Sequence, residues 1–236
     1  MKSLFNLLTD YAAFIEVVDV NKCNLIDINK GLVKKETGTE TNRYTPYSLA
    51  EIRALTKKED DVSASILLMI LTGMRIDREF LSLNRSDIDY ENHVIFIKDS
   101  KTGNGIRYIF ISKYVEPLLH QLYDEHVYAF RDDIEKKYPY NKYMEKKYNP
   151  YRENNKLEHI PYDCRHTFAI LTYRSGMDEL TRKRVFGHSI KDFTNRVYTM
   201  TEYQDLMAAK ECFDTYLDKI LDENYVEPVN LSIKIV

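Results

Sequence analysis

The stretch HIPYDCRHTFAILTYRSGMDELTRKRVFGHSIKDFTNRVYTM, residues 159–200, decides how the whole chain is interpreted. Along it lie Arg165, a Gly-His pair that ends in His188, and Tyr198 ten residues further on. A guanidinium group stays charged and matches the geometry of phosphate, an imidazole transfers protons near neutral pH, and a phenol is a nucleophile that can leave again. The stretch therefore predicts a phosphate-handling site with a protein nucleophile.

Glycines divide this stretch into predicted helices. Gly176 ends a first helix at about 166–175, and Gly187 ends a second helix at 178–186. A longer helix is predicted over about 202–222. This part of the chain is thus expected to be mainly helical.

Helices are also predicted upstream. Ser48, with Glu51 three residues on, has the capping-box pattern that opens a helix. Residues 61–72, DVSASILLMILT, are apolar nearly all round, which predicts a helix at the centre of the core that Gly73 ends. Another helix is predicted over 114–130.

The period of the sequence changes to that of β-strands between these helices. Two β-rich runs, 94–98 and 106–111, flank a Lys-Thr-Gly-Asn-Gly turn that contains Lys101. Asn-Gly is a strong hairpin signal, and a short strand near 87–88 is expected to pair with the hairpin. The sequence therefore predicts a small antiparallel sheet among helices.

Composition is that of an ordinary globular protein, with 44% hydrophobic and 30% charged residues. The longest apolar run, 66–71, is far too short to span a membrane, and the N-terminus has no signal-peptide pattern. The three cysteines are few and widely spaced, which indicates a reducing compartment. We therefore expect a cytoplasmic protein without a membrane partner.

The net charge of −3 does not by itself indicate a nucleic-acid binder. Its distribution is uneven, because the residues after Tyr198 contain eight acids against three bases. Basic residues cluster upstream and interleave with tyrosines over 131–158. Two interpretations of 131–158 remain open, a surface that contacts a nucleic-acid backbone and a flexible, solvated connection.

Cleavage of a phosphodiester by a protein nucleophile requires groups that the sequence supplies. Fixed guanidinium groups at Arg75, in LTGMR, and at Arg165 would stabilise the negative charge that grows on the phosphate oxygens. Lys101 on its hairpin turn can protonate the leaving oxygen, His188 can assist, and Tyr198 can attack. Because the arginines supply the charge, no metal is needed.

Other classes of site have no support. The histidines show no short metal-ligand spacing, and neither GxxxxGK[ST] nor GxGxxG occurs in the sequence. We therefore expect no metal and no cofactor.

Five segments in order then carry a resemblance to a known family. They are LTGMR at 71–75, SKTG at 100–103, PYDCRHTFA at 161–169, FGHSIKDFT at 186–194 and VYT at 197–199. Over roughly 45–222 the chain resembles the catalytic domain of the tyrosine recombinase (phage integrase) family. It looks most like the integrases of phages and conjugative transposons.

The resemblance implies a fold and a domain organisation. The fold is α+β and predominantly α-helical, with an antiparallel sheet of about three strands packed on helices. Residues 1–44 would be the remnant of an N-terminal core-binding helical domain with its linker, and 45–222 the catalytic domain. Residues 223–236 would be a tail whose strand-like end, VNLSIKIV, packs on a neighbouring protomer.

The resemblance also implies a mechanism. Tyr198 would attack the scissile phosphate and form a 3′-phosphotyrosyl link, while Arg75 and Arg165 clamp the phosphate. Lys101 would protonate the leaving 5′-oxygen, and His188 would assist the transferring phosphate. The partners would be double-stranded DNA and further copies of the chain in a tetramer, and the protein would associate with the nucleoid when bound to DNA.

Three departures from the family pattern bear on activity. Tyr162 stands where the family usually has a histidine, and a phenol is a poorer proton acceptor than an imidazole. The acid that usually lies three residues after the first arginine lies four after it, at Glu79, which a local bulge would accommodate. The expected N-terminal DNA-clamping domain is nearly absent from 1–44.

Three functional hypotheses follow. The first is a site-specific DNA recombinase with the six catalytic residues Arg75, Lys101, Tyr162, Arg165, His188 and Tyr198. The second is a degenerate recombinase that binds DNA or other protomers and cuts weakly or not at all, which the three departures motivate. The third is a type IB topoisomerase-like enzyme that relaxes DNA as a monomer.

Overall fold

The computed structural model describes residues 45–98, 106–132, 134–187 and 202–226, called the described ranges below. The chain divides into two units, Met1–Arg43 and Tyr44–Val236, and every described residue belongs to the second. The predicted N-terminal remnant and the predicted terminal strand lie outside the described ranges. The domain boundaries stay predictions.

Helices dominate the described ranges, and a small sheet accompanies them. The α-helices are α1 (Leu49–Thr56), α2 (Asp61–Thr72), α3 (Glu116–Tyr123), α4 (Tyr140–Tyr143), α5 (Asn149–Asn154), α6 (Pro161–Arg174), α7 (Glu179–Phe186) and α8 (Glu202–Leu221). Two π-helical turns, Ile76–Phe80 and Met144–Tyr148, and a 3-10 turn, Arg85–Asp87, complete the helical part. None of the helices within these ranges is long and apolar enough to cross a bilayer.

Helix α2 lies at the centre of the core, as its sequence predicts. The Asp60 carboxylate caps its first turn by accepting from the backbone N–H groups of Val62 and Ser63. Every residue from 63 to 72 is buried, and the helix packs against α1, α3 and α6. Each fully buried leucine or isoleucine of α2 contributes about 1.5–3 kcal/mol, so this helix supplies much of the driving force for folding.

Helix α1 begins at the predicted capping box. The Ser48 hydroxyl accepts from the Glu51 backbone N–H at 3.3 Å, and the Glu51 carboxylate accepts from the Ser48 backbone N–H at 2.8 Å. Further along α1, the Arg53 guanidinium donates to the carbonyls of Ile220, Asp222 and Tyr225 at 2.7–3.0 Å. Carbonyls at the end of a helix have no intrahelical partner, so Arg53 satisfies the end of α8 and ties it to α1.

The sheet has the three antiparallel strands that the sequence predicts. The strands β1 (Ile88–Asp89), β2 (Val94–Ile97) and β3 (Arg107–Phe110) lie in the order β1-β2-β3. The register places Ile95 opposite Ile109 and Ile97 opposite Arg107. Strand β3 contacts α7 and α8, so the sheet packs on the two helices that precede and follow the predicted nucleophile segment in the sequence.

The predicted helix over 114–130 is wrong in its second half, because α3 ends at Tyr123. Beyond it, the His126 N–H donates to the Tyr123 carbonyl in a turn at 3.1 Å. Arg85 binds the residues that follow α3. Its backbone N–H donates to the Val127 carbonyl at 3.0 Å, and its guanidinium donates to the Asp124 carbonyl. These bonds compete with continuation of the helix.

A flexible, solvated connection is also the wrong interpretation for much of 131–158. Helices α4 and α5 and the π-helical turn between them form an ordered unit over 140–154. The Tyr143 ring is fully buried with its hydroxyl 2.9 Å from the Ser65 hydroxyl, and the Tyr148 hydroxyl donates to the His159 carbonyl at 3.0 Å. The buried tyrosines anchor this unit to the core.

Helix α6 begins at Pro161, about five residues earlier than predicted. Proline is favoured in the first turn, where its missing N–H has no intrahelical role. The Asp163 carboxylate accepts from the Ile160 N–H at 2.9 Å and from the Thr45 N–H at 3.2 Å, which caps the helix. The longer helix places Tyr162 and Arg165 one turn apart on one rigid element.

Gly73→Ala should destabilise the fold strongly. Gly73 ends α2 with a φ of +65°, and a Cβ atom there would lie 2.2 Å from the Cδ1 atom of the buried Phe168. Left-handed backbone strain and overpacking together cost about 2–4 kcal/mol. The measurement is the free energy of unfolding from urea titration followed by circular dichroism.

Gly176→Ala is the matched control for that variant. Gly176 also has a positive φ, +80°, but no atom lies within 4 Å of the position that a Cβ would take. Only the backbone strain applies, so the expected loss is about 1 kcal/mol. Equal losses for the two variants would contradict the close packing of Gly73 against Phe168.

Candidate active site

Arg75 follows the end of α2 and begins the π-helical turn Ile76–Phe80. The Phe80 N–H donates to the Arg75 carbonyl at 2.9 Å, and the Leu81 N–H donates to the Ile76 carbonyl at 3.0 Å. These bonds reach back five residues, so the turn contains one residue more than an α-helical turn would. A local bulge of the kind that would accommodate the extra residue between Arg75 and Glu79 is therefore present.

The extra residue brings the Glu79 carboxylate back onto Arg75. Its Oε2 atom accepts from the Arg75 backbone N–H at 2.8 Å, and its Oε1 atom accepts from Arg75 Nη1 at 2.6 Å. The Glu79 side chain has no exposed surface, whereas the Arg75 side chain is 31% exposed. Glu79 thus holds Arg75 from the buried side, while part of the Arg75 side chain stays exposed.

Arg107 on β3 is a residue of this cluster that the sequence analysis missed. Its Nη1 and Nη2 atoms each donate to one Glu79 oxygen at 3.0 Å, and its Nε donates to the Val185 carbonyl at 2.5 Å. The alternation of side chains along β3 could have indicated that Arg107 is buried. Arg107 shares its side of β3 with the fully buried Ile109, and a charged residue in such a register needs a buried partner.

Burial would raise the pKa of the Glu79 carboxyl, but Arg107 and then Arg75 outweigh that effect through hydrogen bonds and charge. The pKa of Glu79 is therefore lowered from its ordinary value of 4.5. Hydrogen bonds from charged donors favour the ionised form of a carboxyl group, so Glu79 is an anion at neutral pH.

Arg165 approaches the same cluster from α6. Its Nη1 donates to the Gly73 carbonyl and its Nη2 donates to the Phe186 carbonyl, both at 2.6 Å, and the guanidinium stacks on the Phe186 ring at 4.8 Å. Burial, and next the charge of Arg75, lower the pKa of Arg165 to about 10. The group is still cationic at neutral pH.

Three guanidinium groups and the Glu79 carboxylate therefore meet among the described residues, with a net charge of +2. Like charges this close repel one another, and an added anion relieves the repulsion. Guanidinium groups fixed by carbonyls and a carboxylate need little reorganisation when the anion arrives. The arrangement can bind a phosphate and stabilise further negative charge on it.

Tyr162 lies beside this cluster at the surface. It is 45% exposed, one helical turn before Arg165, and its ring centroid is 5.1 Å from that of His166. The phenol is close enough to Arg165 to affect the pKa of that group. A hydrogen bond from Tyr162 to a bound phosphate stays a prediction.

His159, three residues before Tyr162, has buried partners of its own. Its ring is buried, stacks on Tyr47 at 3.8 Å and lies 2.9 Å from the Thr45 carbonyl and 3.1 Å from the Glu51 carboxylate. It also precedes the start of α6. These contacts make His159 a link between the segment before α1 and the segment before α6.

Lys101, His188 and Tyr198 lie outside the described ranges. The chain on either side of them is described. Lys101 belongs to the connection between β2 and β3, and His188 directly follows Gly187, which ends α7 in the left-handed conformation. Within the described ranges no group of three or more side chains is placed to hold a metal ion.

The family model described as the phage integrase family matches residues 42–205. That match covers well over half of the sequence and includes the positions of all six predicted site residues. The chain therefore belongs to the phage integrase family, and the resemblance drawn from the sequence motifs is confirmed.

A curated relative agrees with this assignment. Tyrosine recombinase XerA of Saccharolobus solfataricus is 32% identical over 149 residues, which cover 60% of this chain and 46% of that protein. The chain thus aligns with less than half the length of this relative.

Solved structures show the same fold. The integrase of transposon Tn1549, solved in complex with circular intermediate DNA, has a TM-score of 0.62 at 19% identity, covering 87% of this chain and 76% of that one. Lambda integrase, solved as a tetramer bound to a Holliday junction, has a TM-score of 0.57 at 13% identity, covering 81% and 58%. The predicted helix-rich fold with a small antiparallel sheet is confirmed.

Glu79→Gln should lower the free energy of unfolding by about 3 kcal/mol at neutral pH, because it leaves the buried Arg107 without its counter-charge. The lowered pKa of Glu79 sets the pH dependence. The stability that the ionised Glu79 contributes is fully present at pH values above 4.5, its ordinary pKa. That contribution is lost as the pH falls through the lower pKa that Glu79 has in the folded protein. Urea unfolding between pH 3 and 8 measures the difference between variant and wild type.

Glu211→Gln is the control, because Glu211 is exposed on α8. It should change the free energy of unfolding by less than about 0.5 kcal/mol at every pH. A deficit of Glu79→Gln that stayed constant down to pH 3 would contradict the assigned role of the carboxylate charge.

Proposed function

We propose that this chain is a site-specific DNA recombinase, which cuts and rejoins DNA strands through a 3′-phosphotyrosyl intermediate. The observation that carries the proposal is the cluster of Arg75 and Arg165 around the buried Glu79. The two arginines stand at the positions that match the two arginines of the family motifs. A cationic cluster in which Arg75 is partly exposed fits a phosphodiester.

Arg75 and Arg165 act as the phosphate clamp in this proposal. The Arg75 guanidinium donates to Glu79 through Nη1, and its side chain is partly exposed. Arg165 is oriented by two backbone carbonyls, so its plane is fixed before DNA binds. Preorganised charge of this kind stabilises the five-coordinate phosphorus without further rearrangement.

Lys101, His188 and Tyr198 supply the chemistry. The Tyr198 hydroxyl loses its proton to water, and its oxygen forms a bond to phosphorus as the bond from phosphorus to the 5′-oxygen breaks. Lys101 gives that oxygen its proton, and His188 assists the transferring phosphate. The covalent link retains the bond energy, so the 5′-hydroxyl of another strand can displace Tyr198 without ATP.

The proposed partners are double-stranded DNA and further copies of the chain, as a tetramer on DNA. The structural relatives solved on DNA, including a tetramer, support this assignment by fold. The tail 223–236 is proposed to pack on a neighbouring protomer. Residues 1–44 would contribute the remnant of the DNA-clamping domain, and the protein would act in the cytoplasm at the nucleoid.

Nicked duplexes that carry candidate attachment sites test the proposal. The sites come from the DNA on either side of the gene, and the nick lets the cleaved end diffuse away, so that a covalent adduct accumulates. Wild type should form an adduct that survives denaturing electrophoresis, and Tyr198→Phe should form none, because it removes the nucleophilic oxygen.

Tyr173→Phe is the matched control for the nucleophile. Tyr173 lies on α6 with 69% of its surface exposed, and its ring faces Arg182. This variant should form the adduct at the wild-type rate. DNA binding by wild type without an adduct on any site would support the degenerate hypothesis, and relaxation of supercoils without a specific sequence would support the topoisomerase.

Tyr162→His should raise the rate of adduct formation, by about tenfold, because an imidazole exchanges protons near neutral pH more readily than a phenol. The exposed side chain leaves room for the substitution. Single-turnover cleavage rates measure the effect. Tyr162→Phe should slow cleavage if the hydroxyl donates to the phosphate, and rates equal to wild type in both variants would exclude Tyr162 from the site.

A further inference from the structure

We propose that Arg107 is a positioning residue of the cleavage reaction, which aims Arg75 through Glu79 and fixes the end of α7. The inference rests on the proposed function and adds a residue to it. Arg107 itself does not touch the phosphate in this proposal. It acts through the two groups that it binds.

Arg107 holds Glu79 by a two-pronged interaction. Each carboxylate oxygen accepts one guanidinium N–H at 3.0 Å, and the side chains of Arg107 and Glu79 are 5% and 0% exposed. Paired bonds between two planar groups fix orientation as well as distance. The carboxylate therefore presents Oε1 and Oε2 to Arg75 in one arrangement.

Arg107 also determines how much charge Arg75 offers to a ligand. With Arg107 in place, the negative charge of Glu79 is shared between two cations, and the cluster with Arg165 has a net charge of +2. Without Arg107, Glu79 would pair with Arg75 alone. Arg75 would then be drawn inward and largely neutralised, and the clamp would lose attraction for phosphate.

The third bond of Arg107 reaches the segment before His188. Its Nε donates to the Val185 carbonyl at 2.5 Å, one residue before the Phe186 carbonyl that Arg165 binds. Arg107 lies at the start of β3, beyond the connection that carries Lys101. One side chain thus joins the turn of Arg75, the hairpin of Lys101 and the helix that leads to His188.

Lysine cannot reproduce these contacts. An ammonium group carries the same charge, but it lacks the planar guanidinium fork. With that fork, Arg107 binds both Glu79 oxygens and still has its Nε–H group to donate to Val185. Arg107→Lys should therefore preserve the charge of the cluster and lose its geometry. The variant separates positioning from simple charge balance.

The test uses the full chain and the DNA site that wild type cleaves, with either a normal scissile phosphate or an uncharged methylphosphonate. On the phosphate, Arg107→Lys should form the Tyr198 adduct about 100-fold more slowly, with a DNA Kd within about threefold of wild type. The methylphosphonate is uncharged before attack and gains a single negative charge on one oxygen in the five-coordinate state, so it depends much less on a fully aligned clamp. The variant should then react within about threefold of wild type, as should Arg75→Ala.

A second variant guards against loss of folding. Glu79→Gln combined with Arg107→Met removes both members of the buried ion pair and should unfold within a few degrees of wild type, because neither member is left behind without the other. It should still cleave the phosphate slowly and the methylphosphonate at nearly the wild-type rate. Arg182→Lys, on α7 away from the cluster, should react like wild type on both substrates.

Two outcomes overturn the inference. An equal deficit of Arg107→Lys on both substrates would show that Arg107 serves stability alone, and a wild-type rate on the phosphate would show that it serves nothing in the reaction. Failure of the proposed function is distinguishable from both. In that case wild type itself forms no Tyr198-dependent adduct on any site.

Discussion

The constraint on which this structure depends is the burial of the Glu79 carboxylate without any exposed surface. An ionised carboxylate removed from water costs several kcal/mol unless charged donors surround it. Arg75 and Arg107 meet that requirement, one from the same turn and one from a strand. The end of α2, strand β3 and the end of α7 must therefore meet at one place, which is where the clamp is formed.

The sequence predicted well those features that depend on neighbours a few residues apart. The capping box of Ser48 and Glu51, the glycine that ends α2 and the antiparallel hairpin all follow from local hydrogen bonds and backbone geometry. The order of the motifs then identified the family and placed Arg75 and Arg165 in a site. The structure brings these two arginines to one cluster.

Prediction failed where a distant residue decides the local structure. Helix α6 starts early because Asp163 caps it and also binds Thr45, and the segment after α3 turns away because Arg85 captures its carbonyls. No pattern within either segment reveals those partners. Arg107 is a different case. The alternation of β3 predicts that its side chain is buried, but it does not predict which acid pairs with it.

The π-helical turn Ile76–Phe80 has a consequence for the way related chains are compared. The family pattern that the sequence resemblance implies has its acid three residues after the first arginine, and that count reaches Arg78 in this chain. The carboxylate occupies the inner side of Arg75 all the same, because the helix absorbs the insertion as a bulge. The residue equivalent to the family's acid is therefore identified by the position of its carboxylate oxygen atoms next to Arg75. A residue count along the sequence is off by one position.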